Sequence, residues 1–499
     1  MSEELPNGWV WATVEDLLAE KIINGRSVPT QEGGFPVLKL NAIRDGHIDP
    51  SVAKEGAWTE EEAKPYVLSP GDFLLSRGNG TLSLVGRGGL VSKGCKVAFP
   101  DTMMRIRVNP DLIDGKYFCL MWNGPLVRRD IESLARTTAG IYKINQGILR
   151  NISITLPPLV EQRRIVSALE TELSRLDVAD QQLAQAQARL VHLRARFVEN
   201  TCLGRGREGV ESSAQLAPAA VDDGMVPSLP AGWEWKRLQE IADVVGGVTK
   251  DARKQSDPDC AEVPYLRVAN VQKGVLDLTQ VNTIRVPREK ASQLELLPGD
   301  VLLNEGGDRD KLGRGWVWEG QIPGCIHQNH VFRARVRDGA IHPKLLSWHA
   351  NEFGQRWCQA NGKQSVNLAS ISLSKIRLLP VPVPPEEEQV ELVKKLENAM
   401  AVFDRTAEQL ASARAKATDL RRALLNAAFT GKLVPQDPSD ESAAALLERA
   451  RSERASAPKP KRARRSTIKT STRLASAADV RAPEDPQPVH AGEQTALEF

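Results

Sequence analysis

The sequence predicts a mixed α/β chain: two tandem globular domains, each followed by a long helix, the two helices pairing as an antiparallel coiled coil. Three observations lead there. The chain repeats itself over most of its length. Within each repeat, short β-branched runs such as "VLLNEG" are bounded by glycine and proline turns. Each repeat ends in a stretch of about forty residues with an apolar residue, mostly leucine, at every seventh position.

The repeat comes first, because a missed period misassigns a whole fold. "LPNGW" at Leu5–Trp9 returns as "LPAGW" at Leu229–Trp233, and "PVLKLNAIRDGHID" at Pro36–Asp49 aligns without a gap on "PYLRVANVQKGVLD" at Pro264–Asp277. "LSPGDFLLSRGNG" from Leu68 answers "LLPGDVLLNEGGD" from Leu296, and "MRIRV" from Met104 answers "FRARV" from Phe332. The offset stays between 224 and 228 throughout. At 499 residues the chain is too long for one core. The repeat divides it into a first domain at 1–158, a helix at 159–204, a linker at 205–228, a second domain at 229–385, a second helix at 386–435 and a basic tail at 436–499. The tail's composition from Ser456 onward predicts disorder, after a short helix over "ESAAALLERARSERA". "PGD" before an apolar run is a turn into a buried strand, and helical pieces are expected at "DGKYFCLMWNG" and "HPKLLSWHANEFGQRWCQ".

Both long helices carry their boundaries in the sequence. "LPPLVEQRRIV" and "VPVPPEEEQVELV" begin with prolines where a helix needs no donor. Glu161 in one copy and Glu386, Glu387 and Glu388 in the other suit the positive end of the helix dipole. Gly204 and Gly431 are natural stops. Between them recur Leu169, Leu176, Leu183, Leu190 and Phe197, and, in the same register, Leu396, Phe403, Leu410, Ala417 and Leu424. Companion positions include Val166, Ala179, Ala186, Leu193, Val393, Ala413 and Leu420. At ~1.5 Å per residue each helix would run roughly 60 Å. A single domain of this size cannot cover such a stripe, so each helix needs a long partner, and the repeat supplies it.

Composition narrows the function classes. No apolar run reaches the length of a membrane span, and "MSEELPNGW" lacks a signal-peptide pattern. Cys95, Cys119, Cys202, Cys260, Cys325 and Cys358 are scattered with no C-x-x-C pair, which argues against structural zinc and suits a reducing cytoplasm. Net charge is only +3, but between Arg77 and Arg107 six bases (Arg77, Arg87, Lys93, Lys96, Arg105, Arg107) face one acid, Asp101. A local basic stripe of this kind tracks a phosphate backbone, or is simply a solvated face.

Catalytic signatures are missing. There is no phosphate-binding G-x-x-x-x-G-K-[ST] loop, no Asn-Pro-Pro-aromatic tetrapeptide of amino-methyltransferases and no G-x-S-x-G elbow. "IHQNHV" at Ile326–Val331 spaces two histidines three apart, but its first-half copy "PDTMMR" has neither, so no metal common to both halves is expected. The equivalent glycine-rich loops "SRGNGTLSLVGRGG" and "NEGGDRDKLGRGW" offer Arg77, Asn79 and Arg87, and Asn304, Arg309, Lys311 and Arg314. Arginine suits phosphates and guanine, and asparagine suits adenine. Lys93, Lys96, Lys250, Arg253, Gln328, Asn329 and His330 complete the candidate DNA-contact set.

The proline-led helices after mixed domains resemble the conserved regions of type I restriction-modification specificity subunits. "PYLRVANVQKGVLDL", "LLPGDVLLNEGGDRDKLGRGWVW" and "CIHQNHVFRARV" are similar to signature stretches of that family's target-recognition domains. The resemblance covers roughly residues 5 to 435 and lies in the ordered set occurring twice. It implies a non-catalytic subunit of a phage-defence complex in which each domain reads half of a split double-stranded DNA target. The paired helices then act as ruler and as docking surface for two methyltransferase subunits, with translocase-nuclease restriction subunits completing the complex. It implies no cofactor in this chain, with S-adenosylmethionine, ATP and Mg²⁺ used by the partners. The first-half signatures depart from the pattern: "FPVLKLNAI" lacks the Leu-Arg-x-x-Asn of Leu266, Arg267 and Asn270. Two other readings stay open. One is a nucleic-acid enzyme using Glu305, Asp308 and Asp310, although the first repeat has "SRGNG" there. The other is a coiled-coil scaffold without DNA specificity.

Overall fold

The computed structural model describes residues 5–138, 140–206, 216–364 and 369–456. The Lys459–Arg465 basic cluster of the tail lies outside them. The chain divides into two compact units, Met1–Leu446 and Leu447–Phe499; the described part of the second is helical to Ser456.

In each half, the first and last strands of the globular part pair antiparallel. Val10–Thr13 lies against Ser153–Leu156, and Glu234–Arg237 lies against Pro380–Val383. The pairing closes the domain just before the proline pair and delivers the chain to the long helix. Inside each half a buried strand, Phe73–Ser76 or Val301–Asn304, is flanked antiparallel by Gly88–Leu90 and Met103–Ile106, or by Gly315–Val317 and Val331–Val336. Helices cover these strands: Gly115–Trp122 and Pro125–Leu134 in the first half, Pro343–His349 and Gln355–Asn361 in the second. Trp122, Trp233 and Trp318 are completely buried in the cores.

The "PGD" turns have a sharper job than starting a strand. Gly71 and Gly299 take φ of +86° and +95°, which a side chain resists. This turns Asp72 and Asp300 inward until each is 1% exposed. Asp300 accepts from the Leu297 backbone N–H and from Nε and Nη2 of Arg335, all at 2.7 Å. Asp72 does the same with Ser69 N–H at 2.8 Å and with Arg107. A buried carboxylate is tolerable only when its lone pairs are filled this way. The carboxylate in turn holds Arg107 and Arg335 above the ordinary guanidinium value.

Leu159–Cys202 and Glu386–Phe429 form helices of 44 residues each, about 66 Å long. They run antiparallel in contact. Phe197 meets Phe403 edge to face at 6.0 Å, Arg194 pairs with Asp404 at 2.7 Å, Arg414 with Asp180 at 2.9 Å, and Arg421 with Asp177. As one residue number rises, its partner's falls. The offset of 227 that relates the two helix sequences maps Asp177 onto Asp404 and Arg194 onto Arg421. Two of these ion pairs are therefore copies of one another about an approximate dyad.

Burial along the helices is uneven. Ile165, Leu169, Leu392 and Leu396 near the starts, and Val198, Cys202, Ala428 and Phe429 near the ends, are buried against the domains. Leu176, Leu183, Leu190, Leu410 and Leu424 between them are half-buried along the seam. Leu193 and Leu420 do not join it: they are 56% and 50% exposed. Each lies about 180° around its helix from the residue that enters a domain core, Cys202 or Phe429, so inserting the helix end turns these leucines to solvent.

Replacing Asp300 with alanine strands Arg335 and the Leu297 N–H. We expect a loss of about 3 kcal/mol, read as a lower thermal midpoint. A midpoint within about 1 °C of the parent would refute the anchoring role.

Candidate nucleic-acid interface

The glycine-rich loops leave the C-terminal ends of the buried central strands. After Ser76, Arg77 is fixed by its backbone: its N–H donates to Thr102 and its carbonyl accepts from Ile144. The next two residues, Gly78–Asn79, pair with the hairpin Arg136–Thr138/Ile141–Lys143, with Tyr142 opposite Asn79 and Lys143 opposite Gly78. The small sheet thus gathers Arg77, Asn79, Arg136 and Lys143. Arg136 and Lys143 are exposed and were missed in the sequence, because the bases of a hairpin separated by six residues make no charge run. Asn79 accepts from Thr81 N–H at 3.0 Å, an Asx turn that shapes the loop. Exposed Arg87 closes it by donating to the Ser83 carbonyl at 2.8 Å.

Asn79 and Arg87 also line a cleft of about 660 Å³ between the first domain and the helix pair, with Arg44, Asn123, Leu173 and Arg421. A second cleft of about 570 Å³ sits at the equivalent junction of the other half. There Lys273–Glu352, Lys344–Glu397 and Arg194–Asp404 pair the charges at 3.0, 2.7 and 2.7 Å. The first cleft keeps the Arg421–Asp177 copy of the last pair and adds Arg44, 3.9 Å from Asp49, and Arg87.

In the second half, Gly306–Gly307 pairs with Ala369–Ser370, which pairs with Lys363–Gln364. Arg309 is exposed on the following turn. Asn304 does not belong to this surface. It is fully buried, and its amide donates to the Val271 carbonyl at 2.8 Å, tying the root of the loop to the neighbouring strand. Arg314 is half-buried, with Nε enclosed away from any partner. Burial lowers its pKa against the opposing pull of Asp310 and Asp308, and its carbonyl accepts from the Asn304 N–H at 2.9 Å. Lys311 is tied to Asp308, and His330 to Glu305 at 2.8 Å. Two of the three acids that an enzymatic reading would use are thus engaged by bases. Gln328 and Asn329 are half-buried, their backbone N–H groups bonded to Leu266 and Val248. Lys93, Lys250 and Arg253 are exposed at loop positions, and Lys96 is exposed on the strand Cys95–Ala98, beside Glu60 at 3.5 Å.

His327 and His330 do not converge. The first is buried, its Nδ1 2.6 Å from the Val331 carbonyl, while the second is exposed. Among the described residues no three His, Cys, Asp or Glu side chains come together as a metal site requires, and no helix is long and apolar enough to cross a membrane.

The helix starts hold the residues that the sequence marked without explaining. Gln162 donates to the carbonyls of Leu112 and Pro157, both at 3.0 Å, and accepts from Asp114 N–H at 2.7 Å. Gln389 does the same with Ala340, Pro384 and His342. Trp233 donates to Glu388 at 2.9 Å. The glutamate-glutamine pair is thus the bolt between each domain and its helix.

Comparison with known proteins places this architecture. Residues 6–187 match the family described as the type I restriction modification DNA specificity domain. The chain is 25% identical over 474 residues to the type I restriction enzyme StySPI specificity subunit of Salmonella potsdam, covering 91% of this chain and 96% of the relative. It is 23% identical to the EcoKI specificity subunit of Escherichia coli K12, covering 91% and 97%. Among solved structures, a chain described under "complex assembly and conformational transition of the type I R-M system" aligns with a TM-score of 0.65 at 21% identity, over 86% of this chain and all of that one. The HsdS subunit from Thermoanaerobacter tengcongensis aligns with a TM-score of 0.53 at 20% identity, over 87% and 99%. Over nine-tenths of its length the chain is thus similar to type I restriction-modification specificity subunits, and its residues 6–187 match their DNA specificity domain.

The buried imidazoles predict an acid dependence. Burial lowers both His327 and His349 to about 4, against 6.5 when unfolded. Below pH 6.5 the unfolded chain takes up protons that the folded chain refuses until about pH 4, so stability should fall as the pH drops through that window and be unaffected by these groups above it. Thermal midpoints measured from pH 7.5 to 4.5 should decline less steeply in His349→Asn than in the parent. Identical slopes would contradict the assignment.

Proposed function

We propose that this specificity subunit reads a two-part double-stranded DNA target, one part per globular domain, and holds the parts at a set spacing with its helix pair acting as a coiled-coil ruler. The observation that carries this is the duplication of one presentation geometry. A glycine-rich loop and a short basic sheet leave the same end of the same buried strand in both halves, and the halves are bolted to opposite starts of two antiparallel helices. A reader of one continuous site would need no 66 Å separation. A split site needs a spacer that does not bend.

The same dyad offers two equivalent docking surfaces, which suits two copies of a methyltransferase subunit, with translocase-nuclease restriction subunits joining the complex. S-adenosylmethionine, ATP and Mg²⁺ are assigned to those partners, and this chain to recognition without catalysis. Six free thiols fit a reducing cytoplasm.

The test uses the chain reconstituted with its methyltransferase subunits and duplexes carrying its genomic target. Binding should be sequence-specific and should weaken steeply with salt. Arg77→Ala should weaken it and lower the salt slope by about one unit while leaving subunit association intact. Loss of association would mean that Arg77 is structural, and an unchanged slope would remove it from the phosphate contacts.

A further inference from the structure

The two long helices end in the opposite domains by different means. The first runs into the second domain and continues covalently. Val198, Cys202 and Leu203 enter the same core as Leu229 and Trp233, and Glu199 pairs with Arg356 at 2.6 Å. The described part of the connecting segment, 216–228, is itself docked: Asp223 holds Arg237 and Trp357, Asp222 bonds with Asn361, and Trp235 donates to the Pro227 carbonyl at 2.9 Å. The second helix ends in the first domain with no such bond. Phe429 is 1% exposed, its ring packs on Tyr117 at 5.7 Å, and its carbonyl accepts from Thr155 Oγ1 at 3.0 Å across 274 residues. Gly431, at φ +72°, presses against Pro6 so closely that a Cβ would lie 2.2 Å from the proline ring. Beyond it, Gln436 reaches Glu161 at 3.2 Å, Asp440 pairs with Arg164 at 2.6 Å, and Ala443 N–H donates to Gly8 at 3.0 Å. Trp11, which the offset matches to the covered Trp235, stays 54% exposed.

We propose that Phe429–Ala443 is a non-covalent clasp that fixes the first domain on the helix pair, and that Phe429, Arg164 and Asp440 are positioning residues for the spacing of the two target halves. The inference rests on the two-part target reading. Covalently, the first domain joins the ruler only through Pro157–Pro158, beside the contacts of Gln162, Ile165 and Leu169. A body held at one end of one helix can pivot there; a second hold from the other helix, supplied by Phe429 on Tyr117 and Thr155, Gly431 on Pro6 and Ala443 on Gly8, stops the pivot, and the Arg164–Asp440 pair ties that segment back to the start of the first helix. The second domain has its own covalent hold at that point, so loosening should be confined to the first.

The experiment measures methylation by the reconstituted complex on duplexes whose gap is the natural length or one base pair longer or shorter. Phe429→Ala should cut the preference for the natural gap by about tenfold while leaving preference for the bases of each half intact. Arg164→Asp and Asp440→Arg should each relax the gap preference, and the double exchange should restore it. In parallel, spin labels on genetically encoded residues at exposed Glu32 and Gln185 report without DNA. Their distance distribution should be narrow in the parent and in the double exchange, and broad in Phe429→Ala and both single variants. Unchanged gap preference with narrow distances in folded variants would overturn the clasp, as would failure of the double exchange to restore either readout. If the parent complex shows no sequence-specific methylation while the distances behave as expected, the clasp stands as a mechanical element and the DNA reading is what fails.

Discussion

The architecture follows from two amphipathic helices that are longer than any domain here can cover. Their apolar seams must be buried or the helices have no reason to persist over 44 residues. In a chain that carries the helix twice, the other copy is available at high effective concentration. Antiparallel pairing then decides the rest, because each domain grows from the start of one helix and lands beside the end of the other. Ion pairs along the seam are exposed and individually weak, about 0.2–1 kcal/mol each. Their value is in register: the dyad copies Asp177–Arg421 and Asp404–Arg194 are both satisfied at a single alignment.

Rigid separation also requires stiff joints. Gln162 and Gln389 each fill three backbone partners at the helix start, a site where water cannot substitute. Asp72 and Asp300 play the same part within the domains, drawing Arg107 and Arg335 onto the turn that precedes the central strand. The glycine-rich loop that leaves the far end of that strand inherits a fixed root. Its outward side chains, such as exposed Arg309 and half-buried Arg77, can therefore differ between the halves without disturbing the frame.

Much of this was legible in the sequence, for physical reasons that differ by element. Repeat and heptad are patterns of spacing, which the chain displays directly, and the helices run close to the expected bounds. Side-chain direction is not a spacing property. Asn304 sits in a glycine-rich loop motif yet closes the end of a strand facing the core, so the loop begins one residue later than its composition implies. Leu193 obeys the heptad but loses its burial to the demands of the helix end. Arg136 and Lys143 come together only through strand pairing. The grip of Phe429 on the first domain and of Asp440 on the start of the first helix joins residues more than 270 positions apart, which no local pattern encodes.

The central claim is that one chain holds two DNA readers at a fixed distance, and genome-wide mapping of methylated adenines with and without its gene tests it most directly. The account predicts the loss of a single split motif, two short blocks separated by an invariant gap. A methylome that is unchanged while the methyltransferase partner is expressed, or the loss of a continuous motif with no gap, would contradict it.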